Sequence, residues 1–501
     1  MKFLGLTQWV LAALLASVAV TASPVAPHDL EAMLETRSLE EIRRSSDDYL
    51  KFALKRHLPG LDFKIPRSYG GYISVNATNS ADERQLYFFY TPPESDVGDD
   101  DVVIWINGGP GCSSMEGLWQ ENGPVIFPYY AANTSVKPYL NPYSTHKAAH
   151  AIWIDQPGNT GFSKAGLEIQ GYGGIAKDFS GFLVNFFKEF EHLQGKRLWL
   201  TGESFAGAMI PYIAHHIYEH PKYYNNRGIN LKGIHINDPS WADNTYMEQL
   251  PAFEYAKHYQ KTLTITDAEL AKVERKIKKW GLNTFVEDHL KYPPKGPIKA
   301  PSGWNSSVYD VWGNLLSFWN GAHCSSVYDI TAKCPSPLDP LGYPLDAASP
   351  SATNIFNNIT GFKAAIGADP NRTWVECTSD NWVDIGEALP QASVMPSVIE
   401  NSERVIIGGG DRDVLLLTNG SKLAIQNMTW SGHQGFQVKP SGVLRTAAGQ
   451  RGTYHNERGL TFIEYFYAGH MVPQDDPAAG FKTTKYLLGQ IKKLSNPSNT
   501  S

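Results

Sequence analysis

The chain has 501 residues, 42% of them hydrophobic, and a formal net charge of −6. That length supplies a large core, and mild acidity without a basic cluster excludes recognition of a phosphate backbone, so no nucleic-acid partner is expected. Length alone suggests about three domains, whereas the motifs below argue for one large domain carrying an insertion. At the N-terminus, Met1-Lys2, the apolar residues 11–20 and Val20-Thr21-Ala22 read as a signal peptide over 1–22, too short to span a bilayer. No later apolar run approaches 18 residues, so no membrane anchor is expected. Residues 23–65 are charged, poor in strand signals, and contain Arg43-Arg44 and Lys55-Arg56. They read equally as a removable propeptide or as an N-terminal extension.

From Tyr69 the pattern changes. Residues 71–75 and 85–90 read as an antiparallel hairpin. Short apolar runs follow at 102–106, 151–154, 198–200, 234–236, 405–407 and 461–466, each ending near Gly, Asn or Asp. Helical stretches such as 179–190 and 208–217 lie between them. The alternation predicts an α/β fold with a mostly parallel central sheet and helices on both faces, over a domain of 66–495. It stops at about 241–400. There, 267–280 carries Leu270, Val273, Ile277 and Trp280 at helical spacing, and 293–350 is rich in Pro, Gly and Ser. This stretch reads as an insertion capping the C-terminal edge of the sheet, or as an independent small domain.

Sequons begin at Asn76, Asn133, Asn305, Asn358, Asn371, Asn419, Asn427 and Asn499, a density that fits a secretory pathway. Of the four cysteines, Cys324 and Cys334 are close in a Pro-rich loop and are paired here, which leaves Cys112 with Cys377. An oxidising compartment and the lack of a CxxC spacing favour disulfides over a metal site, and no metal or cofactor is expected.

Gly202-Glu203-Ser204-Phe205-Ala206-Gly207 joins a strand to a helix. A serine on such a turn is the nucleophile elbow of an α/β-hydrolase. Ala206 stands where that pattern has glycine, with Gly207 one later, so the hexapeptide alone fits a helix-capping serine as well. A serine nucleophile needs a base, an orienting acid and oxyanion donors. After Ser204, the run 405–407 ends in Gly408-Gly409-Gly410-Asp411-Arg412-Asp413, and 461–466 is followed by Ala468-Gly469-His470. These supply an acid, Asp411 or Asp413, and a histidine, in the chain order the fold requires. Upstream, Asn107-Gly108-Gly109-Pro110-Gly111 follows a strand. Its bare backbone suits an oxyanion hole made by the N–H groups of Gly109 and Phe205. A phosphate loop is excluded, because no Gly-Lys-Ser/Thr follows and Pro110 lacks a donor.

Trp105-x-Asn107-Gly-Gly-Pro-Gly-Cys-Ser-Ser, Asp155-Gln156-Pro157 with Gly161-Phe162-Ser163, the Ser204 hexapeptide, Gly410-Asp411-x-Asp413 and Gly469-His470-Met471-Val472-Pro473 together resemble the serine carboxypeptidases, of secreted fungal type. The resemblance runs from about Tyr69 to Gln490. It implies an α/β-hydrolase fold, a secreted or vacuolar (lysosomal) glycoprotein, and release of C-terminal residues from peptides or proteins at acid pH through an acyl-enzyme. It implies Ser204 as nucleophile, His470 as base and acid, Asp413 rather than Asp411 as the orienting acid, and Trp105, Asn107, Glu121 and Glu203 as the set that binds the substrate carboxylate. It also supports the Cys112–Cys377 pair. Two glutamates and a substrate carboxylate cannot all be ionised at hydrogen-bond distance, so Glu121 and Glu203 would donate protons at low pH.

The chain departs from the family pattern at Phe205, where Tyr is usual, at Gly158-Asn159, where Val-Gly is common, and at Leu417, where some members have Asn. Two rival functions remain at this point: an acyltransferase on the same scaffold, whose members tend to lose the glutamate before the nucleophile, and a non-catalytic binding or stabilising protein. Oligomeric state is not legible.

Overall fold

The computed structural model describes residues 48–79, 82–131, 134–164, 169–320, 326–332, 337–342, 354–378 and 382–497. The signal peptide, most of the 23–65 segment, the Cys324–Cys334 pair, Asn133 and Asn499 lie outside the described residues. Contacts divide the chain into residues 1–50 and a unit Lys51–Ser501, to which the sheet and the site belong. Within that unit Leu58 and Ile65 are buried in the core, so the end of the N-terminal segment is integral to the fold.

The main sheet has ten strands. They are β1 (Tyr69–Ser74), β2 (Gln85–Thr91), β3 (Asp101–Ile106), β4 (His150–Ile154), β5 (Arg197–Glu203), β6 (Asn230–Asn237), β7 (Arg404–Gly410), β8 (Gly442–Thr446), β9 (Gly449–Glu457) and β10 (Leu460–Tyr465). Their spatial order is β1-β2-β4-β3-β5-β6-β7-β10-β9-β8. β4, β3, β5, β6, β7 and β10 run parallel, and an antiparallel pair closes each edge. The expected alternation is therefore present, with the α/β architecture read from the sequence. Strands buried on both faces carry continuous apolar runs. In β2, Phe88 and Tyr90 pack on Phe186 of the helix Gly171–Glu189, while Phe89 between them packs on Trp119 and Trp153.

Two elements differ from expectation. The β8–β9 hairpin carries no strand signal, because it is a polar, half-exposed edge whose residues bury little. The helix expected from 179 begins at Gly171. Three glycines in its first turn hide it, and the Glu387 carboxylate, distant in sequence, accepts from the N–H groups of Tyr172 and Gly173. A carboxylate at a helix N-terminus satisfies donors that would otherwise be orphaned.

Between β6 and β7 the helices Ala252–His258, Asp267–Ile277 and Val311–Asn320 share an apolar cluster. Val273 and Ile277 are buried in it, with Leu270 and Trp280 against its rim, as their spacing predicts. Thr266 and Glu269 form a capping box that starts the second of these helices.

Candidate active site

β5 delivers Ser204 to the top of the sheet, and the helix Ala206–Glu219 leads away from it. Ser204 has φ +57°, a left-handed conformation that costs a non-glycine residue roughly 1–3 kcal/mol. The turn is over-determined. Ser204 N–H donates to Asn237 at the end of β6 (3.0 Å), and the Ser204 carbonyl accepts from Gly207 (2.8 Å) and Ser240 (2.9 Å). A Cβ at Gly202 would lie 2.2 Å from the Ile106 carbonyl, and one at Gly207 2.6 Å from Pro239. Glycine is thus required at both places, while Ala206 is accommodated.

The glycine loop after β3 comes up against this turn. A Cβ at Gly108 would sit 2.6 Å from Phe205 N and 2.9 Å from Ser204 Oγ. Gly108, Gly109, Ser204 and His470 line one cleft. The loop is fixed from behind by buried Asp155, which accepts from Ser113 Oγ (2.6 Å), Ser114 N (2.9 Å) and Phe162 N (2.8 Å). The Asp155 and Phe162 motifs are therefore scaffolding for the loop. The Cys112–Cys377 disulfide ties the loop to the segment between β6 and β7, as paired above.

His470 follows β10 and Asp413 follows β7. Nδ1 of His470 lies 2.7 Å from Asp413 Oδ2, with the two residues 3% and 0% exposed. Asp413 Oδ1 accepts from the N–H groups of Leu415 (2.7 Å) and Leu416 (3.2 Å). The carbonyl of Tyr328, between β6 and β7, accepts from His470 N–H at 2.7 Å, and the Tyr328 ring packs on the imidazole. Asp411 points elsewhere: it accepts from Tyr467 N–H.

A residue not singled out in the sequence joins this group. Asp238 follows β6 at φ +41° and is buried. Its Oδ1 accepts from Gly410 N–H (2.8 Å), and its Oδ2 has no other partner. Burial, then the Asp413 charge, push its carboxyl well above the ordinary range, so it keeps its proton and presents it to Asp413. Support for Asp413 thus comes from Asp238 and two backbone donors, with buried Leu417 filling space. Asp238, Asp413 and His470 place one donor atom each within 4.8 Å of one another, the one such trio among the described residues with metal-binding reach. The His470–Asp413 bond and the proton on Asp238 make it a hydrogen-bonded chain rather than a ligand set.

On the other wall, Trp105 Nε1 donates to Asn107 Oδ1 (2.7 Å), which fixes the amide so that Nδ2 faces three carboxyls. Nδ2 lies 3.0 Å from Glu203 Oε1, 3.4 Å from Glu121 Oε1 and 3.3 Å from Glu116 Oε2. The remaining oxygens of Glu121 and Glu203 are buried without a partner. Burial pushes Glu121 up to about 7. Burial, then the Glu121 charge, hold Glu203 well above the usual carboxylate range. The two carboxyls meet at the same Asn107 amide, and Glu203 keeps its proton beside Glu121. Glu116, Asp339 and Glu376 also line the cleft and were not singled out in the sequence.

Comparison with known proteins agrees with this arrangement. Residues 59–490 match the model of the serine carboxypeptidase family. A probable serine carboxypeptidase of Arthroderma benhamiae is 35% identical over 93% of this chain and 92% of its own length. The serine-type carboxypeptidase F of Aspergillus niger is 32% identical over 87% and 86%. The crystal structure of Kex1(delta)p, a prohormone-processing carboxypeptidase of Saccharomyces cerevisiae, superposes with a TM-score of 0.69 at 22% identity, covering 88% of this chain and 96% of that one, which establishes the α/β-hydrolase architecture. With its elbow, its glycine loop and its matched length, the chain belongs to the serine carboxypeptidase family.

Proposed function

We propose that this serine carboxypeptidase holds the free carboxylate of a peptide with Asn107 and the proton shared by Glu121 and Glu203, and cleaves the last peptide bond through Ser204. His470 Nε2 takes the Ser204 hydroxyl proton as Oγ attacks the carbonyl carbon. The N–H groups of Gly109 and Phe205 receive the developing oxyanion, each worth about 3 kcal/mol in the transition state. The imidazolium, oriented by Asp413, then protonates the departing amine, and the terminal amino acid leaves. Water, deprotonated by His470, hydrolyses the acyl-enzyme and regenerates Ser204. The observation that carries this reading is Asn107 Nδ2 within 3.0 Å of a buried glutamate that is directly followed by the nucleophile. Acid pH suits it, because an ionised pair would repel the substrate carboxylate.

Passage through a secretory pathway, to the cell exterior or a vacuole, is part of the proposal. It is supported by the signal-like residues 1–22 and by the sequons. Asn305, Asn358 and Asn371 are exposed and are the proposed glycan sites. Asn76, Asn419 and Asn427 are half-buried with side chains bonded to Asp82, Lys422 and Ile298. Any removable segment ends before buried Leu58. No described helix is long and apolar enough to cross a membrane.

The test is release of the last residue from a blocked dipeptide at about pH 5, where a carboxyl pair still shares its proton, with and without a serine-directed phosphonylating agent. Release blocked by the agent is expected. Release that the agent leaves intact, or none, contradicts the reading.

A further inference from the structure

We infer that the cleft selects peptides ending in lysine or arginine, with the cationic group of that last residue seated between Glu116 and Glu376. The inference rests on the proposed carboxypeptidase reading and names the substrate class of the same site.

The carboxylate set uses Glu121 and Glu203. Glu116, Asp339 and Glu376 form a second acidic group in the same cleft; Glu116 also accepts from Asn107 Nδ2, while neither carboxylate binding nor bond cleavage engages Asp339 or Glu376. No lysine or arginine lines the cleft among the described residues, and its one histidine is already bonded to Asp413. Asp339 is a satisfied carboxylate, accepting from Gln120 Nε2 (2.6 Å) and Leu341 N–H (2.7 Å). Glu376 differs. It is only 7% exposed, and its Oε2 has no partner. A buried polar atom left unpaired carries a free-energy cost, which a ligand bearing donors recovers.

Position indicates which residue of the peptide is read. Glu116 accepts from the same Asn107 Nδ2 that reaches Glu203. A peptide whose carboxylate lies on Asn107 therefore brings the side chain of that same last residue, not of the one before it, next to Glu116. The Cys112–Cys377 bridge carries the neighbouring Glu376 to the glycine loop. Leu415 and Met471 add apolar surface to the cleft, suited to the methylene stem of a basic side chain whose head is held by carboxylates. Burial comes first, and then the charges of neighbouring carboxyls, in raising both Glu116 and Glu376, so an entering cation would displace their protons and ionise them.

The experiment measures kcat/KM on the full chain with blocked dipeptides that share one penultimate residue and end in Lys, Arg, Leu, Gln or Glu. Lys and Arg should exceed Leu and Gln by about tenfold or more, the worth of one charge-assisted contact, and Glu should be poorest. Glu376→Gln should lower the Lys-to-Leu ratio about fivefold or more. Product inhibition of the unaltered protein needs no variant: free lysine and arginine should inhibit at concentrations about tenfold below leucine. Leu or Gln at parity with Lys, or equal inhibition by leucine, overturns this inference and leaves the carboxypeptidase reading standing. Release from no member of the series removes both.

Discussion

The two walls of the cleft are built on opposite terms. On the Ser204 wall the polar network is closed. Asp413 has backbone donors on one oxygen and the imidazole on the other, and Asp238 brings its own proton. On the Asn107 wall the network is open. Glu376 keeps a buried oxygen that nothing in the protein satisfies, while Glu203 keeps a proton beside Glu121 as Asp238 does beside Asp413. A closed network holds one geometry, which suits groups that must be in place before reaction. An open one stores a cost that a proton or a ligand relieves, which suits recognition. In the proposed mechanism chemistry and binding are separated in space, and they should then separate in kinetics.

The largest effect should come from the closed wall. Ser204→Ala or His470→Ala should cost about ten-thousandfold or more in kcat, with KM changed little. Equal losses in KM would blur the division. On the open wall, Glu203→Ala should raise KM by about ten- to a hundredfold, since it removes a charged-group hydrogen bond and leaves Glu121 facing a gap. A fall confined to kcat would contradict it. Asp238 sharpens the comparison. Asp238→Ala should lower kcat by about ten- to a hundredfold through loss of Asp413 alignment. Asp238→Asn keeps a donor, tolerates the positive φ, and should retain most activity. Parity of the two variants would mean that Asp238 merely fills space.

The smallest effect concerns stability. Glu121, Glu203, Glu116 and Glu376 are all raised above the ordinary glutamate value of 4.5, burial being the first cause. The native state therefore binds more protons than the unfolded chain between about 4.5 and 7. Stability conferred by these groups is full below the unfolded value and is lost as pH rises through the native one. Thermal unfolding followed by circular dichroism should show a higher Tm at about pH 5 than at about pH 8. A Tm that rises over that interval would contradict the protonated state of this wall.

The closed wall was largely legible in the sequence, the open wall only in part. Ser204, Asp413 and His470 each follow an apolar strand, and a strand end in an α/β sheet is a marked position. Asp238 also follows a strand, but Asn237-Asp238-Pro239 reads as an ordinary turn, and its partner lies far along the chain. Glu116, Asp339 and Glu376 carry no local pattern. Packing of the segment between β6 and β7 and the Cys112–Cys377 bridge bring them together. The β8–β9 hairpin escaped because an edge strand needs few apolar residues. The first turns of the helix Gly171–Glu189 escaped because their stabilising carboxylate, Glu387, belongs to another part of the chain.

The proton between Glu121 and Glu203 can be tested directly by the pH profile of KM for one blocked dipeptide, beside the Glu121→Gln, Glu203→Gln double variant. KM of the parent should climb as pH passes through about 7, where burial places Glu121, and the profile of the variant should be flat. A parent KM that holds constant from acid to alkaline pH would show that no shared proton grips the substrate carboxylate.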